Sequence, residues 1–319
     1  PAGARAIAVL DGTTGRLLYG ENADQELPQA STTKITTAIV VLEHARLTDL
    51  VTVDVNAADM PDSSVMGLQP GEKLTVDQLL YGLLLASGND AALALARHVG
   101  AGSEAKFVQM MNDKARELGL KHTRYANPHG LDAPGHYSSA ADLATLARHA
   151  ARNPDFDRIV STQQIEVKGQ RVYDLHNTNQ LLGQRPDVDG VKTGTTDGAG
   201  RCLVLSATRD GHRVFVSIMN DDGLWADGAA LLDWVFTTYS WQQARVPPSP
   251  FYQLPGPDGL RQPLALKGAQ TVCVAPWEAS YLRWEAIRWP EDGAWPSEGM
   301  PVVFYFGDVL LGSGMMGAR

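Results

Sequence analysis

Cysteine, long apolar runs and excess positive charge are all scarce or absent in this chain of 319 residues. Its two cysteines, Cys202 and Cys273, lie too far apart in sequence to indicate a disulfide framework, so we expect two unpaired, buried thiols. No apolar run reaches about 18 residues, so no membrane-spanning helix is predicted. Lysine and arginine number 27 against 36 aspartate and glutamate residues, and the net charge of −9 argues against nucleic acid as a partner.

Several catalytic motifs are also missing. The sequence has no G-x-S-x-G nucleophile elbow, no H-E-x-x-H metalloprotease motif and no phosphate-binding P-loop. His122, His129 and His136 cluster in one loop-rich stretch, but they lack a regular metal-ligand spacing. We therefore expect neither a metal nor a cofactor.

Neither end of the chain carries a recognisable targeting or membrane segment. The sequence begins at Pro1 with neither a methionine nor an apolar leader, which predicts a mature form whose signal peptide has been removed. Residues 312–319 contain no basic amphipathic helix. Membrane association would therefore need a segment that is absent from this chain.

The order of the predicted elements favours an α+β fold. Apolar runs at 6–10 and 16–19, joined by a turn, predict a hairpin. A helix-rich stretch follows, and strands then return before a closing helix, so strands from both ends of the region are expected to share one sheet. The predicted helices are 32–47, one opened by the capping box at 75–78, 89–99, 103–118, one ending at His149, and 226–239. Residues 164–173 are predicted to form β structure. The predicted strands are 191–193, 202–207 and 213–219, with residues 208–211 as the hairpin turn between the last two.

The last part of the chain has a different composition. Residues 246–250 read Val-Pro-Pro-Ser-Pro, which is typical of a stiff linker. Strand-like runs at 270–274, 281–287 and 301–305 then alternate with glycine and proline turns. The sequence therefore predicts two domains, one over 1–245 and a small all-β domain over 246–319.

The first string that suggests chemistry is Ser31-Thr32-Thr33-Lys34, at the start of a predicted helix that is apolar on most sides. Ser31 and Lys34 are three residues apart, a spacing that stacks two side chains on one helical face. A serine hydroxyl is a weak nucleophile without a base, and lysine can be that base when burial or a second cation lowers its pKa. Alone, Ser-x-x-Lys most often marks a solvated helix turn.

The second string, Ser87-Gly88-Asn89, lies between two predicted helices. Ser87 could relay a proton between Lys34 and a leaving group, and Asn89 could donate to a substrate carbonyl while it holds Lys34 in place. The alternative is that Ser87 or Asn89 merely caps the following helix, a position that favours both residue types.

The third string, Lys192-Thr193-Gly194-Thr195, falls on a predicted strand. Gly194 has no Cβ, so another backbone can approach closely, and a peptide could pair with this strand as an added edge. Lys192 and the hydroxyls of Thr193 and Thr195 would then hold a terminal carboxylate. The backbone N–H groups of Thr195 and Ser31 would form an oxyanion hole. In isolation, the string fits an ordinary exposed turn equally well.

Taken together, the three strings supply a hydroxyl nucleophile, an amine base, a polar bridge and a cationic strand edge. These are the parts of a serine acyl-transfer site that works without histidine. On these motifs the chain resembles the low-molecular-mass penicillin-binding proteins that are D-alanyl-D-alanine carboxypeptidases. The resemblance covers about residues 6–240 and includes the segments 28–34, 85–92, 127–132, 137–139, 177–182 and 188–196.

The resemblance implies a β-lactamase/transpeptidase-like domain, in which helices flank an antiparallel sheet beside a helical subdomain, followed by a small all-β domain. It implies a serine-type carboxypeptidase of the periplasm or the outer face of the cytoplasmic membrane. Such an enzyme removes the terminal D-Ala of the peptidoglycan stem pentapeptide through an acyl-enzyme, and β-lactam antibiotics acylate it. The implied catalytic residues are Ser31, Lys34, Ser87, Asn89 and Lys192, and the implied substrate-binding residues are Thr193, Gly194 and Thr195.

One departure from the family pattern concerns the substrate carboxylate. The resemblance implies a basic residue just before the closing helix, but residues 222–227 contain neither arginine nor lysine, and Leu224 stands in that stretch. Either Lys192, Thr193 and Thr195 bind the carboxylate, or Arg201 contributes.

Two other functions stay open at the level of sequence. A β-lactamase would use the same nucleophile, although no Glu-x-x-Leu-Asn segment lies between the second and third strings, where a deacylating glutamate is expected. A non-catalytic peptidoglycan-binding scaffold is the other alternative, and the intact Ser31, Lys34 and Lys192 argue against it.

Overall fold

The computed structural model describes residues 3–243, 253–255, 261–267, 271–278, 282–286, 300–306 and 309–318. The chain forms two compact units, of residues 1–10 with 17–232 and of residues 11–16 with 233–319. The larger unit contains every residue predicted for the site. The domain limits predicted from sequence, 1–245 and 246–319, stay a prediction, and the predicted linker at 246–250 lies outside the described residues.

A five-stranded sheet of the larger unit joins the two ends of the predicted region, as the element order indicated. The sheet has the order β2-β1-β9-β8-β7, and its β1–β2, β7–β8 and β8–β9 pairs are antiparallel. Strand β7 therefore lies at one edge of the sheet. The strands are β1 (Ala6–Asp11), β2 (Leu17–Glu21), β7 (Val188–Thr196), β8 (Gly200–Arg209) and β9 (His212–Met219).

The helices of this unit lie between β2 and β7 in sequence, apart from the closing helix, which begins in this unit and continues past its limit at residue 232. Helix α1 is buried along most of its length, which explains why its sequence is apolar on nearly all sides. No helix among the described residues is long and apolar enough to cross a lipid bilayer. The helices are α1 (Lys34–His44), α2 (Val76–Leu84), α3 (Asn89–Val99), α4 (Glu104–Glu117), α5 (Ala140–Ala150), α6 (Pro154–Val160) and α7 (Leu224–Thr238).

The start of α1 differs from the prediction of a helix over 32–47. Residues Ala30–Thr33 form a 3₁₀ turn, and the α-helix begins at Lys34 and ends at His44. Ala30 has a φ of 49°, in the left-handed region that a continuous right-handed helix cannot contain. Ser31 consequently lies in a tight turn ahead of the helix.

Helix capping followed the sequence signals closely. The Thr75 hydroxyl accepts a hydrogen bond from the Gln78 N–H, and the Gln78 side chain accepts one from the Thr75 N–H, so the predicted capping box is confirmed. Ser103 and Ser139 cap α4 and α5 through their side-chain oxygens. These caps fix where α2, α4 and α5 begin.

A further hairpin and a short strand pair lie outside the five-stranded sheet of the larger unit. The β structure predicted over 164–173 is confirmed as a hairpin of β5 (Gln164–Lys168) and β6 (Val172–His176). The predicted turn between β8 and β9 is confirmed, with Asp210 and Gly211 both at positive φ between paired strand ends. Strands β3 (Leu50–Thr52) and β4 (Lys73–Thr75) pair antiparallel.

The smaller unit is rich in β structure in its described residues. Strands β10 (Ser240–Gln243) and β13 (Thr271–Val274) pair antiparallel, and β11 (Gln253–Pro255), β12 (Arg261–Lys267), β14 (Leu282–Ala286), β15 (Met300–Phe306) and β16 (Val309–Ala318) form a second sheet of order β11-β12-β16-β15-β14. The predicted strands in this region overlap β13, β14 and β15. Cys202 and Cys273 are both free and buried, as expected.

Candidate active site

The three strings predicted from sequence meet in one place in the larger unit. Ser31 lies in the 3₁₀ turn and Lys34 opens α1. Ser87 and Asn89 lie where α2 gives way to α3, and Lys192 lies on the edge strand β7. Hydrogen bonds join these residues in two groups, one around each lysine amine.

The Lys34 amine is the centre of the first group. Its Nζ lies 2.8 Å from Ser31 Oγ, 2.7 Å from Asn89 Oδ1 and 2.6 Å from the His129 carbonyl oxygen. The oxygens of Asn89 and His129 can only accept hydrogen bonds, so they take two N–H groups of the amine. In the neutral amine, the lone pair then faces the Ser31 hydroxyl, which is the arrangement that a general base requires.

The surroundings of Lys34 favour that neutral form. Its side chain is fully buried, and this desolvation lowers its pKa well below the ordinary value of 10.5. The nearby positive charge of Lys192 lowers the pKa further, while the buried carboxylate of Asp90 raises it. Burial is the larger effect, so Lys34 is placed to accept a proton.

Ser87 and Lys192 form the second group. Lys192 Nζ donates to Ser87 Oγ at 3.0 Å and to the Thr193 carbonyl oxygen at 2.9 Å. Burial lowers the pKa of Lys192 to about 7. Ser87 has a φ of 59°, a conformation that is uncommon for a serine, and it places the hydroxyl beside this amine rather than at a helix cap. The N-cap of α3 is Gly88, without a side-chain cap bond.

Strand β7 comes very close to the backbone of Ser31 at Gly194. A Cβ on Gly194 would lie 2.8 Å from Ser31 N and 2.9 Å from Ala30 Cβ, which is closer than real Cβ contacts. Only glycine fits here without a shift of the backbone. Thr195 directly follows Gly194, so its backbone N–H belongs to the part of β7 that lies against Ser31, and the oxyanion hole stays a prediction.

An open cleft of about 240 Å³ exposes these groups to a ligand. Thr178 enters it from the segment after β6, and its hydroxyl is hydrogen-bonded to the Thr193 hydroxyl at 2.6 Å. No carboxylate lines this cleft, whose residues all belong to the described part of the chain. The lining residues are Ser31, Ser64, Ser87, Thr178, Thr193, Gly194, Thr195, Arg201, Leu224 and Trp225.

Arg201 supplies a cation to the rim of this cleft. It lies opposite Thr195 in the β7–β8 register, and its Nη1 donates to the Asp222 carbonyl oxygen at 2.8 Å. Leu224, in the stretch where a basic residue was expected, is only 2% exposed. Lys34 and Lys192 are buried and already hold hydrogen-bond partners, so Arg201 is the more accessible cation of the cleft.

Some groups that support the site were not singled out from the sequence. The buried Asp90 carboxylate accepts hydrogen bonds from the backbone N–H groups of Met66, Gly67 and Leu68, at 2.8 to 2.9 Å. It thereby fixes the segment that leads to the cleft residue Ser64. Asp90 directly follows Asn89, but nothing in the local pattern indicates a partner more than twenty residues away.

The carbonyl oxygen of His129 is the other missed contributor. The turn that presents it is held by Asn127, whose Oδ1 accepts from the N–H groups of His129 and Gly130. Backbone groups leave no residue-type signal, so a sequence motif could at best have marked the segment. No group of three or more potential metal-ligating side chains occurs among the described residues.

Comparison with known proteins agrees with this geometry. A family model described as D-alanyl-D-alanine carboxypeptidase matches residues 2–223. The chain is 37% identical over 246 residues to D-alanyl-D-alanine carboxypeptidase DacF of Bacillus subtilis, covering 74% of this chain and 63% of the relative. It is 38% identical to DacC of Escherichia coli, covering 73% and 61% respectively. The chain thus spans somewhat over three-fifths of the length of these curated relatives.

Solved structures show the same relationship. Penicillin-binding protein 5 from Haemophilus influenzae matches with a TM-score of 0.80 at 27% identity, covering 99% of this chain and 96% of that one. The Streptomyces K15 DD-transpeptidase matches with a TM-score of 0.70 at 34% identity, covering 74% of this chain and 97% of that one. With the family model spanning most of the larger unit, the chain belongs to the D-alanyl-D-alanine carboxypeptidase family, peptidase family S11.

Proposed function

We propose that this protein is a serine-type D-Ala-D-Ala carboxypeptidase that removes the terminal D-Ala of the peptidoglycan stem pentapeptide and is acylated by β-lactams. The observation that carries the proposal is the position of the buried Lys34 amine, whose nitrogen lies 2.8 Å from Ser31 Oγ. Its other two hydrogen bonds go to the Asn89 side-chain oxygen and the His129 carbonyl oxygen, which can only accept. This arrangement activates a serine. The activity of the relatives and the family match support the same reaction.

Acylation begins when the neutral Lys34 amine takes the proton of the Ser31 hydroxyl. The Ser31 Oγ attacks the carbonyl carbon of the penultimate D-Ala, and the carbonyl oxygen gains the negative charge. The backbone N–H groups of Ser31 and Thr195 donate to that oxyanion. Asn89, already fixed by its bond to Lys34, is placed to hold the substrate backbone through its amide nitrogen.

The tetrahedral intermediate then breaks its bond to the nitrogen of the terminal D-Ala. That nitrogen takes up the proton that Lys34 removed from Ser31, relayed by the Ser87 hydroxyl, which Lys192 holds in place by a hydrogen bond, so Lys34 becomes neutral again. D-Ala leaves, and Ser31 carries the acyl group as an ester. Water hydrolyses the ester with Lys34 again as base, which restores the Ser31 hydroxyl.

The terminal carboxylate distinguishes a carboxypeptidase substrate from an internal peptide. We assign its binding to Arg201 together with the Thr193 and Thr195 hydroxyls, since these groups share the cleft. An arginine fork matches a carboxylate geometrically. The β-lactam carboxylate would occupy the same position. Since its substrate is a cell-wall polymer, we place the protein outside the cytoplasm.

The experiment is a comparison of the unmodified protein with Ser31→Ala, using a labelled penicillin and an acyl-D-Ala-D-Ala peptide. We expect one covalent label per unmodified chain and release of free D-Ala, and neither from Ser31→Ala. Ser161→Ala, which changes an exposed serine outside the cleft, should behave as the unmodified protein. Absence of label on the unmodified protein would leave only a peptidoglycan-binding scaffold.

The lifetime of the penicilloyl adduct separates the carboxypeptidase from a β-lactamase. An adduct that persists for minutes to hours supports the carboxypeptidase, and turnover within a second supports the β-lactamase. The absence of a carboxylate from the cleft lining predicts the long lifetime, because no glutamate is positioned there to activate the deacylating water.

A further inference from the structure

A second pocket lies beside the turn that follows β7. It has a volume of about 320 Å³ and is within the larger unit. Its residues come from the segment before Ser31, from the connection between α4 and α5, and from the turn that follows β7. The lining residues are Pro28, Asp132, Ala133, Pro134, His136 and Gly198.

In the proposed function the terminal carboxylate occupies the cleft lined by Arg201, Thr193 and Thr195, and the second pocket shares no lining residue with that cleft. A substrate that pairs with β7 as an added edge continues past Thr196 toward Gly198, away from the carboxylate. An extended peptide advances about 3.3 Å per residue, so the residue before D-Ala-D-Ala reaches this stretch.

Asp132 has an anionic side chain with unused acceptor capacity in this pocket. Its Oδ1 accepts from the Thr196 hydroxyl at 2.8 Å and its Oδ2 from the Gly198 N–H at 2.9 Å. A carboxylate offers about four lone-pair positions, so two remain for a ligand. Asp132 is exposed and forms no ion pair with any described residue of the chain.

The other walls suit an aliphatic chain that ends in a cation. Pro28, Ala133 and Pro134 present apolar surface that can cover methylene groups. His136 is buried, and its two ring nitrogens are hydrogen-bonded to the Thr33 hydroxyl and the Ala126 N–H. Its Nδ1 accepts from Ala126, so the ring is neutral and does not compete for the charge of Asp132.

We propose that this pocket receives the side chain of the residue that precedes D-Ala-D-Ala, and that Asp132 pairs with an amine at the end of that side chain. The inference rests on the proposed function and names the specificity of the same site. It predicts a preference for peptides with a free, charged amine at this position.

The test compares two peptides, Nα-acetyl-Lys-D-Ala-D-Ala and the same peptide with its ε-amine acetylated. The measured quantity is the ratio of their kcat/KM values for D-Ala release. We expect the unmodified protein to prefer the free amine by roughly three- to tenfold, since the ion pair is partly exposed. Asp132→Asn should bring the ratio to about one by lowering kcat/KM for the free amine alone.

Asp197→Asn is the matched control, because Asp197 is an exposed carboxylate close by in sequence that does not line the pocket. It should keep the preference. Raising the salt concentration should weaken the preference of the unmodified protein.

An equal loss on both peptides in Asp132→Asn would overturn the proposal and show that Asp132 only holds the turn. Loss of the preference in Asp197→Asn would also overturn it. Failure of the proposed function is separate, because the unmodified protein would then release D-Ala from neither peptide.

Discussion

The α carbon of Gly194 packs so closely on the backbone nitrogen of Ser31 that a methyl group there would lie 2.8 Å from that nitrogen. This contact places β7 against the nucleophile turn. We predict that Gly194→Ala separates the two and lowers the rate of acylation by penicillin by about 100-fold, comparable to the loss of an oxyanion donor. The rate is measured with a labelled penicillin under pseudo-first-order conditions.

Gly20→Ala is the control for this glycine replacement. Its Cβ would meet only the ends of the Leu17 and Ala23 side chains at 3.1 Å. It should acylate as the unmodified protein does. Normal acylation by a folded Gly194→Ala protein would show that the close approach is not needed.

The charge of Lys192 should control the pH at which Lys34 becomes a base. Lys192 lowers the pKa of Lys34 by repulsion, so Lys192→Met removes a positive charge and lets the pKa of Lys34 rise. The acid limb of the pH profile of penicillin acylation should therefore move to higher pH. The midpoint of this acid limb should still lie below the ordinary lysine pKa, because burial lowers the pKa of Lys34 more than the Lys192 charge does. An unmoved or downward-shifted limb would contradict this coupling.

Replacement of Arg201 should affect substrates according to their carboxylate. We expect Arg201→Gln to lower kcat/KM by about tenfold for a peptide that ends in D-Ala-D-Ala. For the same peptide with its terminal carboxylate replaced by an amide, kcat/KM should stay nearly unchanged. Arg152→Gln, which removes a positive charge from an exposed residue that does not line the cleft, should change neither. The same loss on both peptides would show that Arg201 acts on the fold of the cleft and not on the carboxylate.

Protonation of His136 should destabilise the fold in acid. Burial, with a smaller contribution from the Lys34 charge, lowers the pKa of His136 to about 4, below the ordinary 6.5. The unfolded chain therefore takes up a proton before the folded one does, and stability falls as the pH drops from about 6.5 to about 4. This one residue accounts for about 3 kcal/mol over that range.

Urea unfolding at a series of pH values measures this dependence. His136→Asn keeps an acceptor near the Ala126 N–H but does not titrate, so its free energy of unfolding should vary less with pH. Equal slopes for the variant and the unmodified protein would rule out His136 as a source of the acid sensitivity.

Helix caps, tight turns and single helices were predicted well, because each depends on residues that are close together in the sequence. The capping box at Thr75, the Asp210-Gly211 turn and the helix at 89–99 each depend on a few neighbouring residues, and the structure has all three. The prediction of a helix from residue 32 was wrong by two residues at its start. Residues Ala30–Thr33 form a 3₁₀ turn there, and Ala30 has a left-handed conformation that its residue type does not indicate.

The three strings could be recognised from the sequence because their residue types and order are distinctive. The structure joins their residues by hydrogen bonds, Ser31 and Asn89 to Lys34 and Ser87 to Lys192, while their catalytic roles stay predictions.

Only the tertiary structure decided how these groups act together. Two oxygens accept hydrogen bonds from the Lys34 amine and orient it, one on the Asn89 side chain and one on the His129 backbone. Both residues are far from Lys34 in sequence. The burial that lowers the lysine pKa values depends on the whole packed unit. The physical reason is that residue type sets the chemistry a group can perform, whereas desolvation and orientation arise only when distant segments pack around it.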